Sequence, residues 1–263
     1  MSLFDLCFNF TSSTFRADET AVLDRARAVG VDHFLVTGSD QDDSRFALEL
    51  AERYQHGMYA TVGVHPHLAK TWQHDTQDVL RQLAQSTRVK AIGEAGLDYH
   101  RNLSTPEQQQ HALRQQIELA IELQRPLFLH ERDAHADFYA ILQDYQSELV
   151  TSVVHCFTGQ RAALEHYLEL DLYIGITGWI CDERRGTHLH ELVSLIPQDR
   201  LMIETDAPYL LPRSYRPKPK DNRNEPSFLP HIAQHIARHR GDDEQHLCQF
   251  TMQNTLRFLD IKS

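Results

Sequence analysis

The chain has 263 residues, of which 41% are hydrophobic and 24% are charged; this is the composition of a globular protein and excludes the disordered and fibrous classes. Its formal net charge of −11 argues against a protein that grips duplex DNA over many phosphates, because such binding depends on clustered Lys and Arg. The length suits either two average domains or one α/β barrel.

The N-terminal segment has no features of a secretory signal. MSLFDLCFNFTSSTF carries no basic residue before its short apolar run, and Arg16 and Asp18 follow soon after. No apolar run approaches the roughly 20 residues needed to cross a bilayer. We therefore expect a cytoplasmic protein that does not bind membranes. The cysteines have no CxxC spacing, so we expect reduced thiols at Cys7, Cys156, Cys181 and Cys248.

Short apolar runs alternate with helix-like segments along the whole chain. Eight runs are found, over residues 3–8, 33–38, 59–64, 89–93, 126–130, 151–157, 172–177 and 201–205. Near-continuous apolar strands separated by helices predict a parallel sheet. Eight such units favour a closed (β/α)8 TIM barrel over an open doubly wound sheet, and no GxGxxG or GxxxxGK[ST] motif follows the first run to support a nucleotide-binding sheet.

Helical signals lie between the runs. Overlapping capping boxes, Ser104 with Glu107 and Thr105 with Gln108, precede apolar residues at helical spacing. Two further helices are predicted from the spacing of Phe46, Leu50 and Tyr54 and of Leu164, Tyr167 and Leu168. The proline-rich segment 208–230 is predicted to be a long loop. Because no Pro/Gly/Ser-rich linker divides the chain, we expect residues 1–263 to form one domain.

Polar residues follow several of the predicted strands. Catalytic groups of such barrels lie at the C-terminal ends of strands, where this chain has Glu94, His130, His155 and Asp206. Imidazoles and carboxylates brought together on one rim repel and lose hydration unless a cation offsets both effects. We therefore predict a divalent metal site at this rim. Glu204 lies two positions before Asp206, so one of the two can bind the ion while the other orients or deprotonates water; a purely supporting role for Glu204 is the alternative.

Other assignments at this rim stay open. Glu94 could instead form a buried ion pair with Arg132. In GVHPH, Pro66 restrains His65 to extended backbone, so His65 could reach a phosphate or the metal, or could anchor its own loop. His67 lies farther out and receives no assignment.

Two loops near the predicted rim are basic. They follow the seventh and eighth strands, in the region where barrels often bind phosphate. Charged loops are often merely solvated, but a basic loop beside a metal site on an acidic protein suits a phosphodiester held locally. The predicted substrate-binding residues are Arg184, Arg185, Arg213, Arg216 and Lys218.

Several motifs together resemble the TatD family of metal-dependent deoxyribonucleases, within the amidohydrolase-like barrels. They are NFTSS (9–13), GVHPH (63–67), AIGEAGLD (91–98), LHERDA (129–134), VVHCFTG (153–159), GITGWICDERRG (175–186), IETDAPYLLP (203–212) and RNEP (223–226). The resemblance implies Glu94, His130, His155 and Asp206 as metal ligands and Glu204 as important for activity. It also implies magnesium-supported 3′→5′ exonuclease action on single-stranded DNA and RNA ends, in a cytoplasmic monomer linked to repair of oxidative DNA damage.

The first strand departs from the family pattern. Many members carry His-x-His there, whereas this chain has Cys7 and Asn9 at those positions. One firmly held ion, with a second recruited weakly by substrate, is therefore plausible, and zinc and manganese remain alternatives to magnesium. Two rival functions also remain: an amidohydrolase-type enzyme that opens a cyclic amide or ester, and a metal-poor, non-catalytic scaffold.

Overall fold

A computed structural model describes residues 2–262. Within them, eight strands form one parallel sheet in which each strand pairs with its neighbours in chain order. The strands are β1 Leu3–Phe8, β2 Val31–Val36, β3 Met58–Val62, β4 Val89–Asp98, β5 Leu127–Arg132, β6 Ser152–Val154, β7 Tyr173–Ile176 and β8 Leu201–Ile203.

Helices follow the strands and cover the outside of the sheet. Within residues 2–262 they are α1 Glu19–Ala28, α2 Gln41–Tyr54, α3 Thr76–Leu83, α4 Pro106–Leu123, α5 His135–Asp144, α6 Arg161–Glu169, α7 Leu189–Leu192, α8 Leu229–Arg240 and α9 Glu244–Phe258. The three helices predicted from capping and apolar spacing correspond to α2, α4 and α6. Short 3-10 turns lie at Ser13–Phe15, Pro66–Thr71, Gly178–Cys181, Val193–Leu195 and Pro226–Phe228.

The sheet closes between its first and last strands. The Asn9 N–H donates to the Ala207 carbonyl at 2.9 Å, and the Asp206 N–H donates to the Cys7 carbonyl at 3.0 Å. Phe8 and Ala207 also form a parallel bridge. The closing contacts lie just beyond β8, because the chain from Glu204 onward continues alongside β1. The predicted (β/α)8 barrel is thus confirmed.

An apolar cluster fills the barrel interior. Seven of the eight strands contribute buried residues to it, and Tyr59 of β3 packs against it. Phe258 and Leu259, at the end of α9, complete the same cluster, and α9 packs against β1 and β8. The strand residues are Phe4, Leu6, Cys7, Leu35, Ala91, Phe128, Val153, Tyr173 and Met202. A second, larger apolar layer lies between the sheet and the helices.

Several element bounds differ from the predicted runs. β4 continues five residues beyond the predicted run to Asp98, so Glu94 lies inside the strand rather than at its end. β6 and β8 stop at Val154 and Ile203, which leaves His155 and Glu204 just beyond them. Burial continues across the ends of β6 and β8, because His155 and Glu204 are as buried as the strand residues before them.

The capping box of α4 uses Thr105 rather than Ser104. The Gln108 N–H donates to Thr105 Oγ1, and the Gln108 side chain accepts from the Thr105 N–H at 2.9 Å. Ser104 instead donates to the carbonyl of His67 at 3.0 Å, which fixes the loop after β3 to the start of this helix. Thr105 therefore caps α4, whereas Ser104 holds the loop after β3.

The structure can be compared with the predictions for the cysteines, for membrane segments and for the long loop. All four cysteines are free thiols. Between residues 2 and 262, no helix is both long and apolar enough to cross a bilayer. The segment after β8 has no helix or strand until the turn at Pro226–Phe228, so the predicted long loop is present, but α8 begins at Leu229 within its predicted range.

Candidate metal centre

The pleat of the strands directs two histidines into the barrel mouth. Phe128 of β5 and Val153 of β6 belong to the interior cluster. His130 and His155 each lie two positions further along, and side chains two apart on extended backbone project to the same side. The same alternation relates Glu204 to the interior residue Met202. The apolar runs that form the barrel therefore also aim these polar groups.

A break in strand pairing brings Glu94 to the same place. The register between β4 and β5 shifts between Ile92 and Ala95. Gly93 within this shift has φ +143°, and a Cβ built on it would lie 2.2 Å from the Phe128 carbonyl oxygen, so only glycine fits. The next side chain, Glu94, then turns into the barrel mouth, where it is only 6% exposed.

Three histidines converge on one oxygen of Glu94. Its Oε1 lies 2.8 Å from His155 Nε2, 2.9 Å from His130 Nδ1 and 3.2 Å from His65 Nε2. His130 Nδ1 and His155 Nε2 are themselves 3.3 Å apart. The structure thus places two of the predicted ligand histidines, together with His65, around the predicted ligand Glu94.

The charges in this cluster depend strongly on one another. Burial by itself would raise the pKa of Glu94, but His155, His65 and His130 hold that pKa well below its ordinary value. Burial opposes charge on His155 too, yet Glu94 and Glu204 raise the pKa of this imidazole well above its ordinary value. For His65, burial prevails and lowers the pKa. His155, rather than His65, is therefore the imidazole that compensates the charge of the buried carboxylates.

Glu204 lies directly behind His155. Its Oε1 accepts the N–H of Cys156, and its Oε2 lies 3.5 Å from His155 Nδ1. Glu204 is completely buried. Its position allows it to orient His155, which is the supporting role left open above.

Asp206 lies beside the cluster and is positioned from β1. Its Oδ1 accepts from Asn9 Nδ2 at 2.9 Å and from the Cys7 thiol at 3.5 Å, while Thr37 Oγ1 donates to Asn9 Oδ1 at 3.0 Å. Burial raises the pKa of Asp206 to about 6, with His155 opposing the shift and Glu94 adding to it. Cys7 and Asn9 therefore serve here to hold Asp206.

The residues present fit a bound cation. His130 Nε2, His155 Nδ1 and Glu204 Oε2 are buried without a hydrogen-bond partner among the described residues. Ligand atoms of His65, Glu94 and His130 lie within 4.8 Å of one another, and so do those of Cys7, His155 and Glu204. Imidazole nitrogens and carboxylate oxygens gathered at this spacing are a donor set that suits a divalent cation.

Asp98 and His67 lie at the same site, although neither was predicted from the sequence to belong to it. Asp98, at the end of β4, accepts from His67 Nε2 at 2.6 Å and lies 3.6 Å from His130 Nε2. The neighbouring imidazoles of His130 and His67 lower the pKa of Asp98, although burial opposes this. The available signal was a second carboxylate four residues after Glu94. This carboxylate can be assigned to the site only when β4 is known to extend as far as Asp98.

The site opens into a cavity of about 810 Å³. Two arginines line it, Arg101 and Arg132. Arg132 does not pair with Glu94, the alternative considered above; its guanidinium lies 5.6 Å from the centre of the Trp179 ring. None of the five predicted substrate-binding cations is among the lining residues.

Three of those five cations gather around one acid. Asp182 lies 3.0 Å from Arg185 and 3.6 Å from both Arg184 and Arg213. Arg216 donates to the carbonyls of Arg213 and Tyr215, and Lys218 is exposed. The loops after β7 and β8 are therefore joined outside the cavity by ion pairs to Asp182.

Comparison with known proteins agrees with this geometry. The family model described as TatD related DNase matches residues 4–260. A protein of Erwinia tasmaniensis named 3′-5′ ssDNA/RNA exonuclease TatD is 50% identical over 98% of this chain and 100% of its own length. A protein of Salmonella typhimurium with the same name is 47% identical over 98% of this chain and 99% of its own length.

Solved structures share the whole barrel. The crystal structure of a TatD homologue from Escherichia coli k12 superimposes with a TM-score of 0.90 at 27% identity, covering 99% of this chain and 98% of that one. A TatD family hydrolase from Entamoeba histolytica gives a TM-score of 0.88 at 26% identity and covers 99% of both chains. The family resemblance and the barrel predicted from the motifs are confirmed, and the chain belongs to the TatD-related DNase family.

Proposed function

We propose that this chain is a metal-dependent nuclease that removes nucleotides from the 3′ ends of single-stranded DNA and RNA. The observation that carries the proposal is the convergence of three histidines on Glu94 Oε1 in the mouth of a TatD-related barrel. Relatives of about 50% identity carry the name of this exonuclease activity and match nearly the full chain. Family membership, ligand chemistry and the cavity beside the cluster support the same reaction class.

Glu94, His130, His155 and Asp206 are the residues that we propose hold the metal. When bound, a divalent ion supplies Lewis-acid stabilisation for charge that develops on the scissile phosphate. Glu204 and Asp98 keep His155 and His130 oriented from behind, as carboxylates commonly do for metal-binding imidazoles. We propose magnesium as the working ion, while the imidazoles also suit zinc and manganese.

Asp206 is the proposed proton acceptor. Asn9 and Cys7 donate to its Oδ1, which leaves Oδ2 as the oxygen available to an attacking water. With a pKa raised to about 6, this carboxylate is basic enough to accept a proton and is still largely ionised near neutrality. Glu204 assists from the far side of His155. His65, whose partly buried ring contacts Glu94, completes the cluster from the β3 side.

Arg101 and Arg132 are the proposed contacts of the substrate phosphates. Both line the cavity, and one guanidinium group can bind two oxygens of the same phosphate. Binding of neighbouring nucleotides by Arg184, Arg185, Arg213, Arg216 and Lys218 stays a prediction. So do a role in repair of oxidative DNA damage and a cytoplasmic location.

The test uses purified protein and end-labelled single strands of DNA and RNA. Mononucleotides released in order from a 3′ label, abolished by EDTA and restored by magnesium, are the expected result. Unchanged cleavage in EDTA would contradict the metal-dependent mechanism, and loss of internal or 5′ nucleotides would contradict the polarity. Cleavage of cyclic amides but not phosphodiesters would favour the amidohydrolase alternative. Failure to take up magnesium, manganese or zinc at all would favour the scaffold.

A further inference from the structure

Three histidines that the proposed nuclease does not use lie together where α7 packs against α8. A ring nitrogen from each of His190, His235 and His239 lies within 4.8 Å of the others, and none of these residues lines the cavity. His235 and His239 are one helical turn apart on α8, so they share a face of that helix. His190 comes from α7, which makes the cluster a contact between two elements.

The three rings pack against one another but do not form hydrogen bonds with one another. The rings of His190 and His239 stack with centroids 3.7 Å apart, and those of His235 and His239 lie 4.8 Å apart. No hydrogen bond joins any two of them among residues 2–262. Their ring nitrogens therefore find no partner within the cluster itself.

The hydrogen bond of His190 settles which of its nitrogens is free. Its Nε2 lies 3.0 Å from the carbonyl oxygen of Ile180. A carbonyl only accepts, so Nε2 carries the hydrogen and Nδ1 of the neutral ring keeps its lone pair. Anchoring one imidazole nitrogen on a backbone carbonyl is the usual way in which a metal-binding histidine is oriented.

One ring nitrogen of the same cluster is available to bind a ligand. His235 Nε2 is buried and has no hydrogen-bond partner in the part of the chain that the structure describes. Burial, followed by the neighbouring rings of His239 and His190, lowers the pKa of His235 to about 4. The pKa of His239 is also lowered, by burial and by His190 and Arg238. Both rings are therefore neutral at physiological pH, which is the form that binds metal.

We propose that His190, His235 and His239 form a second, separate metal site that takes zinc through three imidazole nitrogens. The donor set has no carboxylate, so it suits zinc, copper or nickel rather than magnesium or calcium, which prefer oxygen. All three residues are partly exposed, which leaves room for water as the fourth ligand.

Zinc binding here would tighten the contact between α7 and α8. Zinc–nitrogen bonds of about 2.0–2.1 Å in a tetrahedron place ligand nitrogens about 3.4 Å apart. The stacked rings must therefore rotate and approach one another from their present positions. A bound zinc would thus link the two helices. Because it would bind the folded chain and not the unfolded one, it would stabilise the folded state.

The first test compares zinc content after equilibrium dialysis and removal of loosely bound ions. The unaltered protein and the control His246→Gln, an exposed histidine on α9, are expected to hold one more zinc per chain than the double variant His235→Gln/His239→Gln. The double variant is expected to keep its nuclease activity, because neither residue touches the Glu94 centre. Equal zinc content in all three proteins would overturn the proposal.

A second test does not depend on how the variant folds. Crystals of the unaltered protein are soaked in zinc and examined by anomalous scattering at the zinc edge. A peak bonded to ring nitrogens of all three histidines, at about 2.1 Å, is expected in addition to any peak at the Glu94 centre. An anomalous map with signal at the Glu94 centre alone would refute the site.

Discussion

At the scale of single residues, Glu94 lies at the centre of the histidine cluster. Its Oε1 contacts three imidazoles, and its carboxylate charge holds the cluster together electrostatically. An amide keeps the size of the side chain but removes the charge. The effect of that single change therefore reports on the charge and not on the shape of the site.

We expect Glu94→Gln to lower kcat by at least ~100-fold, because loss of a proposed metal ligand would weaken both metal binding and transition-state stabilisation. The measurement is single-strand cleavage at saturating substrate, combined with calorimetric titration of the metal. Glu165→Gln is the control, since Glu165 is exposed and pairs only with Arg161 among the described residues. Equal activity of the Glu94→Gln variant and the control would contradict the ligand assignment.

Asp5 gives a prediction about pH and stability. It is completely buried in β1, where it binds the Thr205 N–H at 2.8 Å and the Thr205 hydroxyl. Burial raises its pKa to about 8. The folded state therefore holds a proton that the unfolded chain releases near pH 4, so this group's contribution to the free energy of unfolding falls as pH rises from about 4 to about 8.

The variant Asp5→Asn isolates that contribution because asparagine does not titrate and can still bond Thr205. We expect the unfolding free energy of the wild type, minus that of the variant, to decrease with rising pH across this range and to level off above about pH 8. Urea unfolding at a series of pH values measures the difference. A difference that is constant with pH would show that Asp5 does not hold a proton in the folded state.

At the scale of elements, Gly93 fixes the shape of β4. Its φ of +143° and the 2.2 Å approach of a hypothetical Cβ to the Phe128 carbonyl exclude any other residue without movement of the strand. Gly241, which ends α8 with φ +75°, has nothing within 4 Å of such a Cβ. The two glycines therefore separate the cost of backbone conformation from the cost of a steric clash.

We expect Gly241→Ala to reduce the free energy of unfolding by about 1 kcal/mol and Gly93→Ala to reduce it by more than ~3 kcal/mol. Chemical denaturation gives both values. The Gly93→Ala variant should also lose activity, because the clash displaces Glu94. Similar losses of stability for the two variants would argue against close packing of β4 on β5.

The start of α4 is a second element whose stability rests on one side chain. Thr105→Ala removes the hydroxyl that accepts the Gln108 N–H, and we expect a loss of ~1 kcal/mol. Thermal unfolding measures the change. Since Ser104 bonds the β3 loop instead, Ser104→Ala is expected to perturb that loop and the setting of His67 rather than the helix. No loss with Thr105→Ala would mean that the capping box does not form in solution.

At the scale of the whole molecule, an acidic protein must bind an acidic polymer. The net charge is −11, so attraction has to be local. Arg101 and Arg132 lie in the cavity, whereas three of the five basic loop residues already pair with Asp182. The number of phosphates neutralised on binding therefore tells whether the loops take part.

Salt dependence counts those phosphates. For a single strand, phosphate contacts by Arg101 and Arg132 alone give a slope of roughly −1.4 for log K against log salt. If the five basic loop residues also bind phosphates, the total of about seven contacts gives a slope of roughly −5. We expect the shallower slope, measured by fluorescence anisotropy with Glu94→Gln to prevent cleavage. A slope near roughly −5 would instead show that Arg184, Arg185, Arg213, Arg216 and Lys218 bind substrate, as their position in the sequence suggests.

The sequence by itself determined the barrel and identified His130 and His155, which the structure brings together at Glu94. Alternation of apolar runs and helical segments is a local signal, and eight repeats of it leave few ways to bury every strand. His130 and His155 could be identified because each directly follows an apolar run in the printed sequence. That they share a rim follows from parallel strands having their C-terminal ends on one side.

Tertiary structure alone decided how the groups are used. The bulge at Gly93 depends on the approach of the Phe128 backbone, and the length of β4, which brings Asp98 to His67 and His130, depends on pairing with β5. The histidines of α7 and α8 are 45 residues apart or more in the chain (235 − 190 = 45). Contacts between residues so distant leave no periodic trace in sequence, because they arise from register and packing rather than from local conformation.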